Sequence, residues 1–223
     1  MPDLRAVIVM DYQNVHLTAH DLFDSTKFKA KHESLVDPLL FAQRLLEARN
    51  RAQEAGRPAA VLRRVLVYRG MPTAEHDPAM YARSQAQRAQ WERDRRVEVT
   101  LRPLKYDYER DADGRPATGP DGKRIIRGKR EKGIDVLCAL ALVRESARDD
   151  VDLVILASHD SDLEPALDEA LDVGHAKVET FTWYDRGQPH RSRQLRPGSG
   201  RRLWNTRLTE DEFKKCWDPT NYS

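Results

Sequence analysis

The chain carries two cysteines, Cys138 and Cys216, in 223 residues. That is too few for a disulfide framework, and their wide separation fits no paired metal-ligand motif. A reduced compartment, the cytoplasm, is the expectation. Long apolar runs are also missing: the longest, Val136 to Val143, falls far short of the roughly 20 residues a membrane-spanning helix requires. The five apolar residues from Ala6 to Met10 follow Asp3 and Arg5 and are too short for the apolar stretch of a signal peptide. Neither a bilayer span nor export is expected. No internal repeat is present, and no excess of one charge sign: 38 basic against 36 acidic residues give a net charge of +2. Only the distribution of charge can therefore speak about partners.

What is present alternates. Ala6–Met10 is a continuous apolar run ending at Asp11, the pattern of a strand covered on both faces. Asp37-Pro38 is an N-cap with proline at the first helical position. Leu39, Phe41, Ala42, Leu45, Leu46 and Ala48 then recur at helical spacing toward Gly56, which predicts a helix of about five turns. Val65–Tyr68 reads as a second strand, Asp77-Pro78 as the start of a second helix running to Arg95, and Val97–Leu101 as a third strand. A helix over about 134–148, a buried strand over 151–158, a helix over 162–173 closed by Gly174 and a fifth strand over 177–183 complete the series. Strands alternating with helices at this spacing predict a doubly wound, mainly parallel α/β sheet with helices on both faces.

Two segments depart from this pattern. Residues 105–132 carry Asp113-Gly114, Pro116, Gly119-Pro120-Asp121-Gly122 and Gly128, turn chemistry that predicts a hairpin-like insertion. Residues 186–207 hold seven arginines and no acid, with Pro189, Pro197 and three glycines, and read as a basic arm outside the core. A short helix capped by Thr209, with Phe213 and Trp217 as its apolar face, is expected to follow. The division implied is a core domain over 1–185 and a basic C-terminal arm over 186–223.

In an open parallel sheet, ligands gather outside the carboxyl ends of the strands. Asp11 ends the first strand, Asp160 and Asp162 follow the buried strand within Ser158-His159-Asp160-Ser161-Asp162, and Asp135 stands in the first turn after Lys132-Gly133. All four acids are therefore expected at one edge. Clustered carboxylates repel one another unless protons or cations offset them. Oxygen donors without a histidine or cysteine pair favour Mg²⁺ or Mn²⁺ over zinc. Such an ion acidifies water and stabilises a phosphoryl transition state, so phosphodiester hydrolysis is the implied reaction. Taken singly, Asp11 is also an ordinary strand-end turn residue, Asp135 a helix N-terminal charge and Asp162 an N-cap. His16 and His20 read as surface residues, and Cys138 as a small buried hydrophobe.

The strings Val9-Met10-Asp11-Tyr12-Gln13-Asn14-Val15, Lys132-Gly133-Ile134-Asp135-Val136 and Ala157-Ser158-His159-Asp160-Ser161-Asp162-Leu163-Glu164-Pro165 resemble, in order and spacing, the NYN domain family. This family is a branch of the PIN-like metal-dependent ribonucleases, and the likeness spans roughly residues 5–185. The resemblance implies a PIN-like, Rossmann-like sandwich with an acidic pocket holding Mg²⁺ or Mn²⁺. By position, Asp11, Asp135, Asp160 and Asp162 match its metal-binding acids, and Asn14 the polar residue that steadies the first of them. Lys132 matches a basic residue before the helix acid. Products with 5′-phosphate and 3′-hydroxyl ends are implied. His159 stands where the family often has glycine, and Leu163 where it often has an aromatic residue. Both departures bear on substrate choice rather than on the acids.

The expectation is a metal-dependent ribonuclease in which a cation-activated water attacks the RNA phosphodiester, more readily endonucleolytic than exonucleolytic. RNA would be held by Arg124, Arg127, Lys129, Arg130 and Lys132, by His159, and by Arg201 and Arg202 of the arm, with Trp204 available for stacking. RNA is the expected partner, and a homodimer or a protein partner is compatible. Two other classes remain open. One is a non-catalytic RNA-binding or regulatory module. The other is a Toprim- or phosphatase-like hydrolase, suggested by Asp160-Ser161-Asp162 but poorly matched by Asp11-Tyr12-Gln13 at the first strand.

Overall fold

The computed structural model describes residues 2–23, 34–53 and 56–222. β1 (Leu4–Asp11) leads directly into α1 (Tyr12–Phe23), followed by α2 (Pro38–Ala52), β2 (Ala60–Met71), α3 (Pro78–Trp91) and β3 (Val97–Pro103). β4 (Lys105–Tyr108) and β5 (Ile126–Arg130) precede α4 (Ile134–Ser146), β6 (Leu153–Ala157), α5 (Glu164–Val173), β7 (Lys177–Trp183), β8 (Asn205–Leu208) and α6 (Glu210–Lys215). Six strands form one sheet in the order β3-β2-β1-β6-β7-β8, every neighbouring pair parallel. β4 and β5 pair antiparallel as a separate ribbon. The fold is thus the doubly wound α/β type, with the hairpin inserted between β3 and α4.

Alternation along β1 decides which helices cover which face. Ala6, Ile8 and Met10 pack with α1, α2 and the terminal residues Phe213 and Cys216. Val7 and Val9 face Cys138, Ala141 and Leu142 of α4 and Leu167 and Ala170 of α5. β6 is buried along its whole length, as a strand covered on both sides must be. Asp37 and Asp77 cap their helices as the sequence indicates, accepting the amides of Leu40 at 2.8 Å and Met80 at 3.0 Å, each with proline at the helix start. α2 is nearer four turns than five, since Gln53 closes it with an N–H bond to Asn50 O.

The structure corrects three expectations. First, α1 buries Tyr12, Val15, Ala19, Leu22 and Phe23 on one face, and His16 and His20 lie on that face rather than at the surface. Their rings join a column from Tyr12 to Phe213, and His20 Nε2 lies 2.7 Å from Ser34 Oγ, which satisfies an imidazole inside a core. Second, the basic arm is not wholly outside the core. Its last residues form β8, where Thr206 and Leu208 are buried and Asn205 Nδ2 donates to the hydroxyls of Thr180 and Thr182; Leu195 is buried as well. Third, the helix after β6 begins at Glu164, following a 3-10 turn over Ser161–Leu163. The C-terminal segment then closes one face. Thr209 and Glu212 form a capping box on α6, and the Asp218 carboxylate accepts from Trp91 Nε1 and from the Tyr222 hydroxyl, both at 2.6 Å. No helix among the described residues is long and apolar enough to cross a membrane.

Candidate functional site

The strand order reverses direction between β1 and β6, the switch point where the loops leaving two adjacent strands open a crevice at the carboxyl edge. Asp11 closes β1 there and the loop Ser158–Asp160 leaves β6 beside it. The two loops are tied together. Asp11 Oδ1 accepts the Asn14 amide at 3.3 Å and Oδ2 accepts the Ser158 hydroxyl at 3.4 Å. Ser158 Oγ in turn accepts the Asp160 amide at 3.1 Å, and Asn14 Oδ1 accepts the His159 amide at 2.7 Å.

Asp11, Asp135 and Asp160 line a hollow with Glu131, Lys132, Gly133 and Ile134. A second hollow adjoins it through Asp11, Glu131 and Asp160 and reaches Gln13 and Asn14. Gly133 turns the chain there with φ +76°, a left-handed conformation that glycine adopts without strain, and so starts α4 with Asp135 in its first turn. The structure therefore brings together Asp11, Asn14, Asp135 and Asp160, with Lys132 exposed at the rim.

Glu131 was absent from the sequence reading. Its carboxylate accepts the Gly70 amide at the end of β2. A side chain at position 70 would collide with Glu131 and Leu104, so the approach depends on glycine. The available signal was an acid four positions before Asp135, masked by the run of cations around it. Asp162 behaves otherwise. It is exposed, lines neither hollow and gives its amide to Asp160 Oδ1 at 3.0 Å, which makes Asp160 the cap of the 3-10 turn.

Electrostatics mark Asp11. Burial first, and the charges of Glu131 and Asp160 with it, push its carboxyl up to about 7 against the hydrogen bonds from Asn14 and Ser158. Burial raises the Glu131 carboxyl too, opposed by the Gly70 amide and Arg69. A carboxyl held up to about 7 is what burial beside other acids produces, since both disfavour the charged form. The donors are carboxylate and amide oxygens, a chemistry suited to a hard divalent cation that keeps water in its shell. Among the described residues, no three acidic, histidine or cysteine side chains close around a single point.

His159 points inward. Its Nε2 accepts the Trp183 amide at 3.3 Å and its ring meets Phe181 edge-on with centroids 5.1 Å apart. Burial holds its pKa down to about 4, which leaves it neutral near pH 7, and its ring is turned to Trp183 and Phe181 rather than set out as the RNA contact expected of it. Of the expected RNA-binding cations, Arg124, Arg127, Lys129 and Arg130 lie exposed on or beside the ribbon. Lys129 approaches Asp77 and Arg130 approaches Asp107. Arg201 pairs with Asp168 and Asp172 near the far end of α5, away from the acids; Arg202 is exposed nearby. Trp204 is 41% exposed but sits beside β8 rather than at the hollow.

No family model matches the sequence, and no curated protein matches it. Among solved structures, the chain is similar to a protein of unknown function from Vibrio parahaemolyticus, with 21% identity over 80% of this chain and 81% of that one, at a TM-score of 0.42.

Proposed function

We propose that the protein is a metal-dependent ribonuclease that hydrolyses RNA phosphodiester bonds at the carboxyl edge of its sheet. The observation that carries this reading is the convergence of Asp11, Glu131, Asp135 and Asp160 on adjoining hollows at the switch point, with the Asp11 proton held to about pH 7 by burial and by its acidic neighbours. The resemblance of the three sequence strings to the NYN family supports the same reading. Mg²⁺ or Mn²⁺ bound among these acids would offset their charge and that of the phosphodiester and would acidify water. Asp11, Asp135 and Asp160 would hold it, with Glu131 beside them.

The remaining work falls to the chain itself. Asn14 and Ser158 orient Asp11 and fix the β6 loop against α1. Lys132 at the rim and the cations of the ribbon draw the phosphate backbone toward the acids. The ordinary check is cleavage of a labelled RNA by purified protein in Mn²⁺ and in EDTA, with the new ends sequenced. Cation-dependent cleavage leaving 5′-phosphates, abolished by Asp160→Asn while RNA binding persists, is the expected result. Equal turnover by that variant sinks the assignment. The looseness of the acid cluster among the described residues favours one second reading, an RNA-binding module without catalysis. RNA retention with no cleavage in any divalent cation would establish it. Hydrolysis of a small phosphate ester but not of RNA would move the protein to a phosphatase-like class.

A further inference from the structure

We infer that the β4–β5 ribbon carries a binding site for an unpaired nucleotide, so that the RNA engaged beside the acid hollow is single-stranded. This rests on the ribonuclease reading for its substrate and adds to the ribbon's cations an aromatic contact which that reading does not require. The ribbon curls around a hollow of about 610 Å³ lined in part by Lys105, Tyr106, Tyr108, Arg110 and Arg127.

Both tyrosine rings are fixed from behind by His76. Tyr106 stacks on its imidazole with centroids 4.1 Å apart at 16°, and the Tyr108 hydroxyl lies 2.9 Å from His76 Nε2. Thr73 completes the clamp, its amide donating to the Tyr106 hydroxyl at 3.1 Å and its hydroxyl lying 2.6 Å from His76 Nδ1. Both rings are thereby set in place before any ligand arrives, at little further entropic cost on binding; His76 covers one face of Tyr106 and Arg124 lies over the Tyr108 ring, its Cζ 5.5 Å from the centroid, which leaves the outer face of Tyr106 for a base.

The charges around them have the matching sign. Asp107, the acid of the lining, approaches Arg130 at 3.7 Å, whereas Lys105 and Arg127 make no ion pair among the described residues. Fixed aromatic faces within a cationic groove are the means by which proteins hold single strands, each base stacking through its π-face while cations follow the backbone. A continuous duplex keeps its bases stacked on one another and offers no free face to such rings. The position is also suitable: Glu131 follows the last residue of β5 directly, so Gly128 and Arg127 of the hollow lie three and four residues from an acid of the site, roughly 10–13 Å along an extended strand.

The test separates binding from cleavage. A fluorescein-labelled single-stranded RNA of about twelve nucleotides, within the usual site size, and the same strand annealed to its complement are titrated with the full chain in EDTA. We expect the single strand to bind at least tenfold more tightly. A chain with Arg110→Glu and Arg127→Glu should lose at least tenfold affinity for it, with an unchanged thermal melt. Single Arg127→Ala should lower the slope of log affinity against log salt by about 0.7, the contribution of one phosphate contact on a single strand. A 4-thiouridine strand should photocrosslink to Tyr106 or Tyr108. Equal affinity for duplex, unchanged affinity in the reversed variant, crosslinks confined to other segments, or capture of a polyglutamate peptide as tightly as RNA would each overturn the inference. If the ribbon crosslinks appear but no cation supports cleavage, the ribbon site stands and the ribonuclease reading falls. If cleavage is robust and the ribbon variants bind normally, the reverse holds.

Discussion

Asn14 Oδ1 accepts the His159 main-chain N–H at 2.7 Å, a bond that joins the first turn of α1 to the loop carrying Asp160. Removing the acceptor leaves a partly buried amide unpaired, a loss of about 1–3 kcal/mol. It also frees the loop that aims Asp160. Asn14→Ala should therefore melt earlier and cleave RNA at least tenfold more slowly through kcat, with KM little changed, because the ribbon and rim cations are untouched. Asn14→Asp keeps an acceptor and should recover part of the thermal loss while adding a further charge beside Asp11. Steady-state kinetics with parallel thermal melts check both, and wild-type kcat in Asn14→Ala would remove the positioning role.

What the sequence disclosed follows from where the physical signals were unopposed. β1 and β6 are short continuous apolar runs buried on both faces, and Asp37-Pro38 and Asp77-Pro78 make the capping bonds that their types predict. Asp11 and Asp160 were found because each ends or closely follows such a strand. α1 was missed because His16 and His20 occupy its buried face and break the apolar period that would reveal it. β8 was missed because it is four residues long with three of them polar, and Asn205 is useful there only through the hydroxyls of Thr180 and Thr182 on the neighbouring strand. Glu131 belongs to the site only because Gly70, sixty-one positions earlier, leaves room for it. Tertiary relations of that kind leave no periodic trace.

The same geometry separates two acids that sequence alone treats as equals. Asp160 lines both hollows, whereas Asp162 is exposed and lines neither. Asp135→Asn and Asp160→Asn should each reduce cation-dependent cleavage by at least a hundredfold. Asp162→Asn should retain cleavage within about fivefold of the parent, since what it supplies to the turn is its backbone amide. Single-turnover rates at saturating Mn²⁺ discriminate the three, and a loss in Asp162→Asn equal to that in Asp160→Asn would restore Asp162 to the acid set.

The burial of Asp11 beside other acids should be visible in stability against pH. Its carboxyl is raised from 3.8 to about 7 in the folded chain, so the folded state holds a proton that the unfolded state has released. The associated stability is complete below about pH 4 and is lost as pH rises through about 7. A shift of that size corresponds to a loss on the order of 4 kcal/mol. In EDTA, urea unfolding should become easier between pH 5 and pH 8, and Asp11→Asn should flatten that slope. Mn²⁺ at pH 8 should restore stability to the parent and much less to the variant. An identical pH slope in parent and variant would show that Asp11 does not hold the proton.

Far from the acids, Arg49 of α2 meets Glu179 of β7 in a two-point pair at 2.9 Å for each bond, with the two side chains only 3% and 6% exposed. Desolvating both ions costs much of what their attraction returns, so the pair is worth little against an apolar replacement. Breaking it strands one charge in the core. Glu179→Ala alone should therefore lower unfolding free energy by about 3–5 kcal/mol, and Arg49→Ala by a similar amount. The double replacement Arg49→Leu with Glu179→Leu should cost far less than the sum of the two single losses. Urea denaturation of the four chains gives the coupling directly. Additive losses would mean that each ion is satisfied by other groups, contrary to the two parallel bonds between them. Cleavage by the double variant should stay near that of the parent, because neither residue lines the acid hollows.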